Sequence, residues 1–182
     1  MSRGPGRIER AIEAIFDAEP DNAFSTDDLC WRVYRGINRV EKKHRVSVTR
    51  AAWKIAQRRE SLECLRSDAL GRTSVWFDKT NVMSYAMGRI KTDMFTYYHG
   101  NDPRVSWRSS ESDLRKQLEP GGKNHDLVVP GGSWWHHARS SRDEIEARRA
   151  GDDERLQQVL AERAAREEKV LAMLAASGLI KK

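Results

Sequence analysis

The chain has 182 residues, of which 33 are basic, 27 are acidic and 38% are hydrophobic. This composition is too polar for one tightly cored globule, so we expect one cored domain followed by polar helical or extended segments. No apolar run approaches the roughly 18–20 residues that cross a bilayer, which excludes an integral membrane protein. The charged stretch after residues 1–6 is not the apolar core of a signal peptide, so we expect a cytoplasmic protein.

Three helices are predicted at the beginning of the chain. Isoleucines at helical spacing predict the first over Arg7 to Ala18. A serine–threonine pair at 25–26 is expected to cap the second, which ends near Gly36. The third covers about residues 39–59, or begins near Ser47 after a basic turn.

After residue 60 the pattern changes to that of strands. β-Branched and aromatic residues predict one strand at 62–66 and a returning strand at 73–77, joined by a turn over 67–72. A fourth helix is expected over about 82–91, after the capping residues at 80–81.

The second half of the chain is expected to be less compact. Glycine–proline turn signals predict a loop-rich connector over 92–139. Within it we expect a short helix that is capped at Ser110 or Ser112 and runs through Leu114 and Leu118, and a brief strand at 127–129. Helix-start signals at 140–144 predict a C-terminal helical segment over residues 140–178, with a break at Gly151 and a new cap at Asp152.

Cys30 and Cys64 are the two cysteines of the chain. They are too few for a disulfide framework, and neither has a zinc-type partner at short spacing. Both lie beside apolar residues, so we expect buried thiols in a reducing compartment.

Positive charge is concentrated in the first half of the chain. Residues 1–91 hold 18 basic and 12 acidic side chains, whereas the remaining residues balance. Within residues 32–59, ten basic side chains accompany Glu41 as the only acidic one, a net charge of +9 over 28 residues. This is the strongest signal in the sequence, and it predicts binding to a polyanion.

The order of helix, helix, basic helix, strand, turn and strand over about residues 7–78 resembles the winged helix-turn-helix superfamily. The resemblance rests on residues 24–29, which open the second helix, on residues 46–52 in the third, and on the hairpin at 62–77. It implies an α+β fold in which residues 7–91 form a DNA-binding domain with a two-stranded wing. It also implies that the third helix lies in the major groove of DNA.

The third helix independently has the two faces that groove reading requires. Its apolar stripe would hold it on the scaffold, and basic and polar side chains lie opposite. Arginine can fork onto guanine and glutamine can pair with adenine, while other basic residues neutralise phosphates. The predicted base-reading residues are Arg50, Lys54, Gln57 and Arg58. The predicted phosphate contacts are Lys42, Lys43, Arg45, Arg66 and Arg72, and Ser47 and Thr49 complete the predicted DNA-binding set. A solvated surface, RNA binding or a partner site for an acidic protein are the alternatives.

Three of the six tryptophans invite a base-stacking interpretation. Trp31, Trp53 and Trp76 are instead expected in the core or at its edge. Trp134 and Trp135 precede two histidines, and we expect them to anchor the connector or the C-terminal helix, or to contact a partner.

Two clusters of asparagine, histidine and aspartate superficially suggest a nuclease core. They lie at 99–102 and 124–126, among glycine and proline turn residues, so we interpret them as turn chemistry. We expect no metal site, no cofactor and no catalytic residues, and therefore not an enzyme.

An apolar stripe runs along the predicted C-terminal helical segment. Three interpretations remain open: a dimerisation helix, a helix packed on its own domain, and a docking segment for another protein. Charged residues at 163–167 argue against a long parallel coiled coil. The stripe residues in the predicted interaction set are Leu156, Leu160, Leu171 and Leu174.

We therefore expect a sequence-specific double-stranded DNA-binding protein, a bacterial or phage transcription regulator associated with the nucleoid. A homodimer through the C-terminal helix would suit two DNA half-sites. The alternative is a winged-helix interaction or assembly adaptor, in DNA packaging or replication, that works through Trp134, Trp135 and the C-terminal helix.

Overall fold

The computed structural model describes residues 6–66, 74–98 and 107–177. Within these ranges the chain is an α+β fold with seven α-helices, one 3-10 helix and a small antiparallel sheet of three strands. In chain order the elements are α1 (Arg7–Ala18), β1 (Ala23–Ser25), α2 (Thr26–Val33), α3 (Lys42–Arg58), β2 (Leu62–Arg66), β3 (Ser74–Asp78), α4 (Val82–Tyr98), α5 (Trp107–Leu118), a 3-10 helix (His125–Leu127), α6 (Ser133–Ala150) and α7 (Asp153–Ala176). The chain divides into two compact units, residues 1–139 and 140–182.

Capping residues determine where α2 and α3 begin. The Asp28 amide donates to Ser25 Oγ at 3.1 Å, and the Ser25 amide donates to Asp28 Oδ2 at 2.8 Å. This reciprocal capping box confirms the predicted cap at 25–26. α3 begins at Lys42, between the two predicted starts, because Glu41 is its N-cap and the Glu41 amide donates to His44 Nδ1 at 3.2 Å.

The sheet has the strand order β1-β3-β2, with both pairs antiparallel. Ala23 lies opposite Phe77, and Leu62 lies opposite Asp78. The two predicted strands of the hairpin are confirmed, and their predicted turn at 67–72 lies outside the described residues. The sheet has three strands rather than the two expected for the wing, because β1 also pairs with β3. Its three residues are too few to show strand periodicity in the sequence.

Side-chain alternation along the strands separates two cores in the first unit. Trp76 and Phe24 pack with α1, α2 and α3 in the first core. Val75, Phe77 and Ala23 lie in the second core, with side chains from α4 and α5. The sheet therefore presents α3 on one face and the later helices on the other.

The loop-rich connector predicted over 92–139 is wrong for most of its described residues. α4 continues to Tyr98, and the short helix expected through Leu114 and Leu118 is present as the longer α5, Trp107–Leu118. Leu114, Leu118 and Val128 are buried in the second core, a long-range contact that local composition does not reveal. The strand predicted at 127–129 is also wrong, since a 3-10 helix covers His125–Leu127.

The glycine signals of this segment mark close backbone packing. A Cβ on Gly122 would lie 2.3 Å from the carbonyl oxygen of Lys116, so this position after α5 requires glycine. Asn124 Nδ2 donates to Gln117 Oε1 at 3.0 Å, and His125 Nδ1 lies 2.9 Å from the Leu118 carbonyl oxygen. These contacts place the cluster at 124–126 in a turn and a 3-10 helix, and the cluster at 99–102 lies outside the described residues.

α6 begins at Ser133, earlier than the helix start predicted at 140. Gly151, with a φ of +67°, ends α6, and Asp152 caps α7 by accepting a hydrogen bond from the Arg155 amide at 2.9 Å. The predicted break and cap at 151–152 are therefore confirmed. In the second unit, Arg163 Nη2 of α7 pairs with Glu144 Oε2 of α6 at 2.5 Å.

In the three described stretches, none of the helices combines the length and the apolar character of a membrane span.

Candidate nucleic-acid interface

α3 has a buried face and an opposite exposed face. Val48, Ala51, Ala52 and Ile55 are buried in the first core. The residues opposite to them span about 100° of the helix circumference at 3.6 residues per turn, and they are exposed except for Thr49, which is half-buried. This outer face of α3 consists of Lys42, Val46, Thr49, Arg50, Trp53 and Gln57.

Most basic side chains of residues 32–59 are neutralised within the first unit. Six of the ten form ion pairs with carboxylates, most of them in α1 or near α2. They are Arg32, Lys43, Arg45, Lys54, Arg58 and Arg59. The positive charge available to a partner is therefore smaller than the sequence count of this stretch indicates.

Glu9 of α1 holds two of the predicted base-reading residues. Its Oε2 accepts from Arg58 Nη1 at 2.8 Å, and its Oε1 lies 3.5 Å from Lys54 Nζ. Arg58 Nη2 also donates to Glu13 Oε1 at 3.1 Å. Glu9 is buried, and the hydrogen bond from Arg58 lowers the pKa of Glu9. Lys54 and Arg58 are thus directed toward α1.

Three further predicted residues make contacts around the start of α3. Arg45 donates from Nε and Nη2 to the two carboxylate oxygens of Asp27 at 2.6 and 2.8 Å, which raises the pKa of Arg45. Lys43 Nζ lies 3.0 Å from Glu41 Oε2. Ser47 Oγ donates to the Lys43 carbonyl oxygen at 2.9 Å. The contact between Arg45 and Asp27 holds α3 against α2. The other two contacts lie within the first turns of α3.

The other four basic residues of the stretch form no ion pair or side-chain hydrogen bond with any part of the chain that the structure describes. They are Arg35, Arg39, Lys42 and Arg50. Gln57 is likewise exposed and without such a bond. Arg66 is exposed at the end of β2, and Arg72 lies outside the described residues. The free donors of α3 therefore cluster on its outer face.

Two apolar side chains share this face: Val46, and Trp53, which the sequence predicts in the core or at its edge. Trp53 is 43% exposed and Val46 is 38% exposed. Trp53 packs edge-to-face on the fully buried Trp76, with ring centroids 5.2 Å apart, so it lies at the core edge. Trp53 lies three residues after Arg50 and four residues before Gln57. This helical spacing is the sequence signal that places the three side chains on the same face.

An open pocket of about 360 Å³ lies between the start of α1 and α3. Arg7, Arg50 and Lys54 bring three basic side chains to it, beside the first residues of α1. Backbone amides at a helix N-terminus favour anions, so the pocket is suited to a phosphate group. Its lining residues are Gly6, Arg7, Ile8, Glu9, Ser47, Arg50, Ala51 and Lys54.

Trp134 and Trp135 occupy the first turn of α6. Trp134 is half-buried against the second core. The Trp135 ring lies 5.2 Å from the Arg139 guanidinium carbon, a cation–π distance. Both tryptophans are therefore engaged with their own unit.

The apolar stripe of α7 differs between its two halves. Val159 is buried, and Leu156 and Leu160 are half-buried. Toward the C-terminus Leu174 is half-buried, whereas Val170, Leu171 and Met173 are 53–63% exposed. The latter half thus presents apolar surface to solvent.

Among the described residues no group of three or more histidine, cysteine, aspartate or glutamate side chains could hold a metal ion. Burial raises the pKa of the Cys30 thiol to about 12 and also raises that of Cys64. Neither thiol is therefore activated as a nucleophile.

No family model, no curated protein and no solved structure matches the chain.

Proposed function

We propose that this protein binds double-stranded DNA through the outer face of α3. The observation that carries the proposal is the joint placement of Lys42, Arg50 and Gln57, all exposed and without a partner within the described chain, opposite a buried apolar stripe. Such a helix can enter the major groove, which is wide enough to admit it and displays base-edge acceptors.

The element order supports a winged helix-turn-helix fold for the first unit. α2 and α3 follow one another, and the antiparallel pair β2–β3 follows α3. Arg66 stands exposed at the end of β2, where a wing would approach the phosphate backbone. In this account the protein is a bacterial or phage transcription regulator at the nucleoid.

On the basis of these contacts we assign different roles to the side chains of α3 and its surroundings. Arg50 and Gln57 are the base readers, because both are free to reach a base edge. Lys42, Arg39 and Arg66 neutralise phosphates, and the pocket beside α1 takes one further phosphate. Lys54 and Arg58 chiefly hold α3 against α1 through Glu9.

Fluorescence anisotropy of a labelled random-sequence 30-base-pair duplex, titrated with the protein at several salt concentrations, tests the proposal. Log affinity should fall linearly with log salt with a slope on the order of −4, since each neutralised phosphate contributes about −0.9. The variant Lys42→Glu/Arg50→Glu should abolish binding at low salt.

The matched control is Lys116→Glu/Lys123→Glu, which makes the same charge change on exposed residues of α5 and the loop after it. It should retain most of the affinity. Absence of duplex binding by the wild type at low salt, or equal losses in both variants, would refute binding through the outer face of α3.

The exposed half of α7 favours a second candidate, an assembly adaptor or homodimer that uses this helix. Val170 and Leu171 are each more than half exposed, and apolar surface of this kind marks interaction sites. Sedimentation equilibrium of the wild type against Val170→Glu/Leu171→Glu tests it. A dimer that the double variant dissociates supports the candidate, and a monomer in both cases refutes self-association.

A further inference from the structure

The outer face of α3 has an apolar component that phosphate binding does not explain. Trp53 and Val46 lie seven residues apart on it, with Arg50 between them, and both are exposed by more than a third. An exposed indole and an exposed isopropyl group at the centre of a donor-bearing face call for an apolar feature on the bound molecule. On the edges of DNA bases, the apolar group in the major groove is the thymine 5-methyl.

Trp53 is held in place before any ligand arrives. Its ring packs on Trp76 at an interplanar angle of 77°. Trp76 is fully buried and its Nε1 donates to Thr26 Oγ1 at 3.2 Å. The Thr26 hydroxyl in turn donates to the Ser74 carbonyl oxygen at 3.4 Å. A side chain fixed in this way loses little conformational entropy on binding.

The charged neighbours of Trp53 match a DNA groove rather than an apolar protein surface. Lys42 and Arg50 lie on the same face within about three helical turns of it and have no partner within the described residues. Gln57 adds an amide one turn further on. Positive charge, an amide and apolar groups together match the phosphates, base edges and methyl groups of the major groove.

We propose that Trp53 and Val46 contact thymine methyl groups, so that recognition of DNA by this protein depends on thymine rather than on A·T pairing alone. The inference rests on the proposed function and deepens it. Seven residues of helix span about 10 Å at 1.5 Å per residue. This length corresponds to about three base pairs at 3.4 Å each. The two methyl contacts therefore fall about three base pairs apart.

The test begins with selection of bound sequences from a 30-base-pair duplex library with a randomised centre. The recovered sequence is then synthesised with thymine and with deoxyuridine, which differ only by the 5-methyl group. Each substituted contact should weaken wild-type binding about fourfold, the factor for burying one methylene-sized group at ~0.8 kcal/mol. Two sensitive positions about three base pairs apart are expected.

The variants assign each methyl contact to a side chain. Trp53→Ala should abolish the effect of deoxyuridine at one position and Val46→Ser at the other. Val46 is exposed, so Val46→Ser should fold normally. It therefore tests the inference even if Trp53→Ala, which removes a ring packed on Trp76, destabilises the core. Trp31→Ala is the matched control, because Trp31 is 42% exposed on α2 and should leave both effects unchanged.

Several outcomes would overturn the inference while leaving DNA binding intact. They are recovery of no thymine-containing motif, equal affinity for both duplexes in the wild type, and persistence of the effect in both variants. Tighter binding to the single strand, with Trp53 as a stacking platform, would overturn it as well. Failure of the wild type to bind any duplex would instead refute the proposed function itself.

Discussion

Nη1 of Arg58 lies 2.8 Å from Oε2 of Glu9, across the contact between α3 and α1. Because Lys54 Nζ also lies 3.5 Å from Glu9, one buried carboxylate engages two side chains that the sequence assigns to base reading. This contact orients α3 in the first unit. The side chains left free are those on the outer face, where we propose that DNA binds.

Removal of the Glu9 charge should strengthen non-specific DNA binding. Glu9→Gln weakens the hold on Lys54 and Arg58, which then become available to phosphates. The slope of log affinity against log salt should steepen by about one to two, at about 0.9 per phosphate. Anisotropy with a random duplex measures this slope. Glu60→Gln, the same charge change at an exposed residue, is the control, and an equal slope in both variants would contradict the prediction.

The same contact makes stability depend on pH in the acid range. The pKa of Glu9 is lower in the folded state than in the unfolded state, chiefly because Arg58 donates to it. Its stabilisation is therefore complete above the unfolded pKa and is lost as the pH falls through the folded pKa. Urea midpoints between pH 7 and pH 3 should fall less steeply for Glu9→Gln than for the wild type. Parallel curves would contradict the account.

The fully buried Lys91 joins α4 to the start of α2. Its Nζ donates to the Ala23 carbonyl oxygen and lies 3.6 Å from Asp28 Oδ2 of the capping box. Lys91→Ala should lower the free energy of unfolding by about 3 kcal/mol, because it leaves Asp28 without its buried counter-charge. Urea unfolding followed by tryptophan fluorescence measures this loss. Lys79→Ala, a half-buried lysine away from that contact, should cost much less.

Local signals predict much of the first unit, whereas long-range contacts decide the rest. The cap at Ser25, the helix over Arg7–Ala18 and the two strands of the hairpin follow from residues adjacent in the chain. β1 depends on pairing with β3 about 50 residues later, and the burial of Leu114 depends on the second core. No local periodicity encodes either contact.

For the candidate site, too, local signals predict a part and long-range contacts decide the rest. The sequence identifies α3 as the basic helix, and the outer face contains Arg50 and Gln57 as expected. It does not reveal which basic side chains are free, because the partners of Arg58 and Arg45 lie 49 and 18 residues away. Counting charges along the sequence does not detect ion pairs between residues that are so far apart in the chain.

Both cysteines should be unreactive in the folded protein. Burial raises the pKa of Cys30 to about 12 and raises that of Cys64, so little thiolate is present at neutral pH. Iodoacetamide at pH 8 should modify neither residue at an appreciable rate, as read by intact mass. In urea both should react fully. Rapid modification of either thiol without denaturant would contradict this prediction.

This low reactivity allows DNA binding through the outer face of α3 to be tested with a single introduced thiol. Gln57→Cys places a single accessible thiol on the outer face of α3, and Lys123→Cys places one on an exposed loop as the control. A saturating DNA duplex should slow alkylation of the thiol at position 57 and leave the rate at position 123 unchanged. Equal alkylation rates at position 57 with and without bound duplex would contradict DNA binding through this face.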